Sequence, residues 1–193
     1  AVQTMTLRAG ERRLDCETWL DWQEQQHLLK VAFLTTVHTH SVLCETQFGH
    51  LERPVHRNTS WDAAKFEICA HRFVHVAEPG FGVSIVNRAT YGHDVSRPES
   101  GDSRGPLPTT VRLTLARGPV HPDPFTDRGE HTFHYGLAVG TDVADAVEEG
   151  WRMVMPPREV EGPLPPPLVT AGDGVSITAV KLADDRSGDI IVR

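Results

Sequence analysis

Residues 13–22 read Arg-Leu-Asp-Cys-Glu-Thr-Trp-Leu-Asp-Trp, and this stretch indicates the fold class of the chain. Polar and apolar side chains alternate along it around Leu14, Cys16, Thr18 and Leu20. Successive residues of a β-strand point to opposite faces of the sheet, so a period of two is typical of a half-buried strand. We therefore expect a strand with one face in a core and the other face in solvent.

Similar strand-like segments follow along the chain and are separated by turn residues. They cover residues 27–36, 42–48, 65–76, 82–87, 110–116, 131–139, 174–181 and 189–193. Many strands separated by turns favour a sandwich or a barrel. Because these strands are long and closely spaced, we predict an all-β fold, a large antiparallel β-sandwich.

One short helix is predicted near residues 141–153. Thr141 or Asp142 can cap its start, and Pro156 lies just beyond its end. Its apolar side chains recur at helical spacing and form one face, which consists of Val143, Val147 and Trp151.

The 193 residues are interpreted as a single β-sandwich region, 1–193, interrupted by two segments of different composition. Residues 96–108 contain almost nothing to bury and are expected to form a polar surface loop. Residues 156–167 are rich in proline and are expected to form a stiff connector. The chain has no initiator methionine and ends within a strand-like segment, so we expect it to be a fragment.

Charge and composition exclude several classes of protein. The net charge of −7 argues against a surface for nucleic acid or for an anionic membrane. No apolar run reaches the roughly 18 residues that a membrane helix needs. The three cysteines, Cys16, Cys44 and Cys69, have no metal-binding spacing and are interpreted as free thiols in a reducing compartment. We therefore expect a cytoplasmic location.

Neither a metal site nor a catalytic site is predicted within these residues. The eleven histidines are scattered, and no H-E-x-x-H or C-x-x-C motif brings ligands together. Glycoside hydrolysis uses two facing carboxylates, but no pair of acidic residues is distinguished by its position. There is no G-x-S-x-G motif either. We predict a binding or structural β domain.

Residues 50–64 are the exception, because they read His-Leu-Glu-Arg-Pro-Val-His-Arg-Asn-Thr-Ser-Trp-Asp-Ala-Ala between two strands. Such side chains can bind hydroxyl groups while Trp61 stacks on the apolar face of a sugar. Alternatively, the segment is a long connection whose polar groups satisfy its own backbone. The residues alone leave both interpretations open.

Four motifs in order resemble glycoside hydrolase family 38 α-mannosidases, in particular the C-terminal β domain of the bacterial and cytosolic-type branch. The third, residues 70–83, contains Ala-His-Arg and Glu-Pro-Gly-Phe-Gly-Val. Residues 88–92 depart from the family, which often has Asp-Cys-Lys-Tyr-Gly there, but Tyr91 and Gly92 are retained. The other three motifs lie in residues 19–31, 53–67 and 113–131.

The resemblance implies a supersandwich similar to the galactose-mutarotase-like fold. It also implies a parent enzyme that hydrolyses terminal α-mannosides with retention, through a zinc-dependent site. In that family the nucleophile and the zinc ligands lie in an N-terminal catalytic domain whose motifs do not occur here, so no catalytic or metal residue is carried over. The residues expected to lie near carbohydrate are Arg57, Asn58, Trp61, Asp62 and Tyr91.

Three functions are compatible with this sequence. The first is a non-catalytic domain that packs on the catalytic domain of the same polypeptide and shapes the rim of its sugar pocket. The second is an independent carbohydrate-binding module in which Trp61 and Tyr91 stack on mannosides. The third, a stand-alone hydrolase or mutarotase-like enzyme, requires a carboxylate or histidine pair that the sequence does not show.

Overall fold

The structure is a computed structural model that describes residues 1–97, 109–156 and 158–193. The chain divides into two compact units, residues 1–157 and residues 158–193. The elements of the first unit are β1 (Val2–Leu7), β2 (Arg13–Trp22), β3 (Leu28–Thr35), β4 (Ser41–Thr46), β5 (Gly49–Pro54), α1 (Ser60–Ala63), β6 (Ile68–Cys69), β7 (Phe73–Glu78), β8 (Phe81–Asn87), β9 (Gly92–Ser96), β10 (Thr109–Arg117), β11 (Gly129–Val139) and α2 (Val143–Val154).

The strands of the first unit form two sheets. One has seven strands in the order β1-β2-β11-β8-β7-β4-β5, and the other has four in the order β3-β10-β9-β6. Every strand pairing in the described ranges is antiparallel. This architecture confirms the predicted all-β fold class.

The core lies between the two sheets because alternate residues of facing strands point inward. Val111 and Leu113 of β10 are fully buried in clusters that also contain Ile85 of β8 and Tyr135 of β11. The ring of Tyr135 meets Phe33 edge-on at 6.1 Å, which is a favoured aromatic geometry. Its hydroxyl lies 2.8 Å from the hydroxyl of Thr18, so the buried polar atom has a partner.

The helix α2 covers the outer face of the seven-stranded sheet. Asp142 caps it, and Asp142 and Asp145 bond each other's amides in a capping box. Ala146 packs against Phe73 and Val86. The prediction of a helix near residues 141–153 is therefore confirmed, with Asp142 as the cap. The one-turn helix α1 was not predicted.

The prediction of one continuous strand over residues 65–76 is wrong. Residues 68–69 belong to the four-stranded sheet and residues 73–78 to the seven-stranded sheet, so the chain crosses between the sheets at residues 70–72. At the crossing, the amides of His71 and Arg72 donate to the carbonyl of Glu45 (3.1 Å) and to its carboxylate (2.6 Å), respectively. These bonds replace the ladder of a continuous strand.

Other predicted strands agree with the structure to different degrees. Residues 13–22 and 82–87 lie in β2 and β8 as expected, whereas β1, β5 and β9 were not among the predicted strands. Ser96 ends β9, and most of the loop predicted at 96–108 lies outside the described residues.

The second unit contains one two-stranded antiparallel ribbon, formed by β12 (Val180–Leu182) and β13 (Ile190–Val192). The strand predicted at residues 174–181 is therefore shorter and begins later. The amide of Ala183 donates to the carbonyl of Asp189 at 2.9 Å and closes the turn between the strands. Residues 158–167 are exposed and contain no helix or strand; that they form a stiff connector stays a prediction.

The described parts of the chain contain no helix long and apolar enough to cross a membrane.

The variant Glu45→Ala tests the crossing between the sheets. Glu45 is 3% exposed, and its removal leaves the guanidinium of Arg72 largely buried without its partner. We expect the free energy of unfolding to fall by about 3 kcal/mol, the order found when one member of a buried pair is removed. Urea denaturation of the chain measures it.

Glu148→Ala is the control for this test. Glu148 pairs with Arg152 at 2.7 Å, but both side chains are at least half exposed. Its loss is expected to cost less than about 1 kcal/mol. Equal losses in the two variants would contradict the role assigned to Glu45.

Candidate functional site

The candidate site is built on the connection between β5 and β6, residues 55–67. Its first residue, Val55, is buried, and its amide donates to the carbonyl of His40 at 3.0 Å. Thr59 caps α1: its hydroxyl accepts a hydrogen bond from the Asp62 amide at 3.1 Å and donates to Asp62 Oδ2 at 2.8 Å. These hydrogen bonds fix the backbone conformation of the connection at Val55 and at the start of α1.

A first cavity of about 220 Å³ lies between this connection and the edge of the four-stranded sheet formed by β6 and β9. Both basic and acidic side chains surround it. Its lining residues are Val42, Glu52, Arg53, Pro54, Val55, His56, Arg57, Asp62, Lys65, Phe66, Glu67, Ile68, Asp94 and Val95.

Two acidic side chains of the first cavity, Glu67 and Asp94, are held by cationic neighbours. Lys30 Nζ lies 2.7 Å from both Glu67 Oε1 and Asp94 Oδ2. Arg112 Nε donates to Asp94 Oδ1 at 2.6 Å. Arg53 Nε, in contrast, is buried and has no hydrogen-bond partner among the described residues. The negative charges of Glu67 and Asp94 are therefore neutralised, and the Nε–H of Arg53 remains an unused hydrogen-bond donor at this cavity.

The pKa values of two carboxyl groups at this cavity, those of Glu67 and Asp62, argue against general-acid chemistry. Burial alone would raise the pKa of Glu67, but hydrogen bonds from Lys30 and Thr114 outweigh it and lower the pKa. The hydrogen bond from Thr59 lowers the pKa of Asp62. A glycosidase acid needs a raised pKa so that it is protonated when it meets the leaving oxygen. These two groups are arranged to stay ionised and to accept hydrogen bonds.

Four further reactive groups, Cys44, His75, Ser84 and His93, are buried in the core and line neither cavity. Burial raises the pKa of the Cys44 thiol to about 11 and lowers the pKa of His93 to about 4. His75 Nδ1 lies 2.9 Å from Ser84 Oγ, but both residues are buried as well. A substrate in either cavity cannot reach these groups, so they offer no accessible nucleophile and base.

The residues described by the structure do not fit a metal ion. Within them, no group of three His, Cys, Asp or Glu side chains lies close enough together to hold one. A zinc ion needs three or four convergent ligands. No chemical step at this site is therefore derived from a metal.

A second cavity, of about 250 Å³, adjoins the same connection. Residues 55–57 border both cavities, so the connection separates them. Its lining residues are His40, Val55, His56, Arg57, Asn58, Ser96 and Arg97.

The structure brings together some of the residues that were expected near carbohydrate. Arg57 lines both cavities, Asn58 lines the second and Asp62 lines the first. Trp61 follows on α1, is 81% exposed and lines neither cavity. Tyr91 precedes β9, also lines neither cavity, and packs against the ring of His71 with 5.1 Å between centroids.

The sequence did not identify several residues that border the cavities. Arg53, Lys65 and Phe66 lie in or beside the motif at 53–67, so their proximity to the site was visible in the sequence. Asp94 and Arg97 come from β9 and the residue after it, a region without an apolar alternation. Nothing in the sequence placed that strand beside the connection.

Comparisons with known proteins give consistent results. The model of the glycosyl hydrolases family 38 C-terminal domain matches residues 1–125. Human alpha-mannosidase 2C1 is 34% identical over 184 residues, which cover 93% of this chain and 17% of that protein. The alpha-mannosidase of Saccharomyces cerevisiae is 38% identical over 126 residues, which cover 65% of this chain and 11% of that protein. The chain therefore spans less than a fifth of the length of these relatives.

A crystal structure of an alpha-mannosidase from Enterococcus faecalis superimposes on this chain with a TM-score of 0.76 and 22% sequence identity. The match covers 98% of this chain and 22% of that chain. At this identity the match shows a shared fold.

Glu67→Gln tests the electrostatics of the first cavity. A carboxyl whose pKa is lower in the folded than in the unfolded chain stabilises the fold above its unfolded pKa, and this stabilisation is lost as the pH falls through the folded pKa. We expect the free energy of unfolding to fall between about pH 5 and pH 3, and to fall less in Glu67→Gln. Urea denaturation at a series of pH values measures it.

Thr114→Val gives a matched second variant, because it keeps the carboxylate and removes one hydrogen bond to it. The fall in its free energy of unfolding with decreasing pH is expected to lie between the falls in the unaltered chain and in Glu67→Gln. The same fall in all three proteins would show that Glu67 does not carry this stabilisation.

Proposed function

The chain belongs to glycosyl hydrolase family 38, as part of the C-terminal domain of an alpha-mannosidase, and on that premise we propose that it is a non-catalytic β domain that packs on the catalytic domain. The parent enzyme hydrolyses terminal α-mannosides with retention, in the breakdown of mannose-containing glycans. Any zinc that this reaction needs is bound by the catalytic domain. The match over residues 1–125 carries this proposal.

The unequal sheets of the first unit support packing against another domain. Seven strands face four, and β1 is the outermost strand of the larger sheet. Met5 pairs with the core residue Cys16, and Leu7 pairs with Leu14 in the same register. Partners across an antiparallel pair point to the same face, so both side chains point to the core side. They are nevertheless 62% and 66% exposed, respectively.

Gln3 supports this assignment of the face. It lies two residues before Met5, and its Nε2 donates to the hydroxyl of the core residue Tyr135 at 2.7 Å. Beyond Gln3, the inner face of β1 therefore presents two apolar side chains, Met5 and Leu7, that continue the core and are uncovered by the described residues. Exposed apolar patches of this kind mark surfaces for association.

The catalytic domain of the same polypeptide is the proposed occupant of this surface. The chain spans 17% of its human relative, so a polypeptide of similar length supplies the remaining domain in cis. Free cysteines, including the exposed Cys69, favour a reducing compartment, and we propose a cytoplasmic location.

The variant Leu7→Asp tests the packing. In the whole polypeptide it is expected to weaken the contact between the domains by about 2 kcal/mol or more, because it replaces a buried leucine by a charge. The midpoint of thermal unfolding should fall in the whole polypeptide and stay unchanged in the isolated chain, where Leu7 is already exposed.

Leu34→Asp is the control for Leu7→Asp. Leu34 is 73% exposed and lies on the outer face of the four-stranded sheet. Its replacement is expected to leave both midpoints unchanged. An equal shift in the two variants, or none in Leu7→Asp, would contradict the proposed surface.

The connection at residues 55–67 is the part of the domain that we propose to lie at the rim of the sugar pocket. Trp61 projects from it with 81% of its surface exposed, close in sequence to Arg57, Asn58 and Asp62. An exposed aromatic ring beside hydrogen-bonding groups is the usual composition of a sugar-binding surface.

Trp61→Ala in the whole polypeptide is expected to lower kcat/KM for an aryl α-mannoside about tenfold, which corresponds to the loss of one stacking contact of about 1.4 kcal/mol. The free energy of unfolding should not change, because the exposed Trp61 ring loses few packing contacts. Phe48→Ala, which removes a ring that is 82% exposed in the turn between β4 and β5, is the matched control and should retain full activity. An unchanged kcat/KM in Trp61→Ala would remove Trp61 from the rim.

The exposed Trp61 also favours a second candidate, an independent carbohydrate-binding module. It requires the isolated chain to bind mannose without the catalytic domain. Titration of tryptophan fluorescence with mannose separates the two candidates: a saturable change that is lost in Trp61→Ala supports the module, and a flat trace supports the packed domain.

A further inference from the structure

The second cavity has an unusual charge for this chain. Among the described residues, seven line it, including two arginines and two histidines and no carboxylate. The chain as a whole carries a net charge of −7. The described part of the chain therefore concentrates cations around one cavity against its overall charge.

Arg97 is held in place by its neighbours. Its Nη1 donates to the carbonyl of Thr39 at 3.3 Å, and its Nη2 lies 2.9 Å and 3.2 Å from the two ring nitrogens of His38. Thr39 is buried, so this guanidinium is anchored to the protein body. Fixing a side chain before binding reduces the entropy that a ligand must otherwise offset.

One donor of this anchored guanidinium is unused. Arg97 Nε is buried and has no hydrogen-bond partner among the described residues. A buried donor without a partner is unfavourable, and it is expected to be satisfied by a ligand or by water. Because Arg97 lines the cavity, a ligand that enters it meets this guanidinium, and a small shift of the side chain would bring Nε to an acceptor.

The remaining lining residues match the other requirements of an oxyanion. Arg57 is exposed, lines both cavities and can approach a ligand from the connection. Asn58 and Ser96 provide neutral hydrogen-bonding groups, and Val55 adds a buried apolar side chain to the lining. Arginine forks match the geometry of phosphate and carboxylate oxygens.

Two carboxylates lie close to residues around the second cavity but do not line it. Asp62 Oδ2 lies 3.6 Å from His56 Nδ1 but lines only the first cavity. Glu78 Oε2 accepts a hydrogen bond from the backbone amide of His38 at 2.8 Å. Neither contact reaches Arg57 or Arg97, so both guanidinium groups remain available to an anion.

We propose that the second cavity binds a small oxyanion, either a phosphate or a carboxylate group, between Arg57 and Arg97. The volume of about 250 Å³ suits such a group or one end of a larger ligand. The proposal does not depend on the packing of the domain, because the cavity is formed within the first unit.

Isothermal titration of the whole polypeptide with inorganic phosphate and, separately, with acetate tests the proposal at matched low ionic strength. At least one anion is expected to bind saturably at one site. Tighter binding of phosphate identifies a phosphate-type ligand, and tighter binding of acetate identifies a carboxylate. Straight, unsaturated traces with both anions would overturn the proposal.

Two variants locate the site, and a third is the control. Arg97→Gln and Arg57→Gln are each expected to weaken binding at least tenfold. Arg88→Gln, at an exposed arginine that lines neither cavity, should change the Kd less than twofold. If Arg97→Gln unfolds the protein, Arg57→Gln decides alone, because this exposed residue is not needed for folding. Equal weakening by all three variants would mean that the anion responds only to net charge, and would overturn the assignment.

Discussion

The buried ion pair of Glu45 and Arg72 determines where the chain leaves one sheet and enters the other. Glu45 Oε2 accepts hydrogen bonds from both the amide and the Nε of Arg72, at 2.6 Å and 3.0 Å. The guanidinium lies 3.6 Å from the centre of the Trp151 ring on α2. A buried charge is tolerated only when it is paired and hydrogen-bonded. One pair therefore links β4, the crossing and the helix on the outer face.

The position of this crossing also determines where the two cavities form. Because the chain turns away after Cys69, β6 is only two residues long and ends at the edge of the four-stranded sheet. The amide of Ala70 donates to the carbonyl of Tyr91 at 3.1 Å, which aligns β6 with β9. The connection before β6 is thereby brought beside Asp94 and Arg97. Both cavities form along this border.

Elements that depend on local patterns could be predicted from the sequence. The strand at residues 13–22 and the helix α2 were found where expected, because alternation and capping residues are encoded locally. In contrast, β5 is an edge strand with exposed residues on both faces, so it shows no alternation. The strand β9 contains the buried polar residues His93 and Asp94. Asp94 is held by Arg112 of the neighbouring β10 and by Lys30 of β3, which is far away in sequence.

The same distinction applies to the candidate site: Arg57, Asn58 and Asp62 come from one continuous segment, so their clustering could be expected. His40 is brought to the connection by the β4–β5 hairpin, and Arg97 by the pairing of β6 with β9. Neither β5 nor β9 was predicted, so the charge of the second cavity could not be foreseen. Tyr91, which was also expected near carbohydrate, packs against His71 and lines neither cavity.

The chain is a family 38 C-terminal domain, and the proposal is that it shapes the enzyme and does not itself cleave the substrate. The lowered pKa values of Asp62 and Glu67 agree with binding and not with proton donation. The most direct measurement is the hydrolysis of an aryl α-mannoside by the isolated chain, by the remainder of the polypeptide, and by the intact protein. We predict full activity in the intact protein and none in the isolated chain, whereas hydrolysis by the isolated chain would contradict a non-catalytic role.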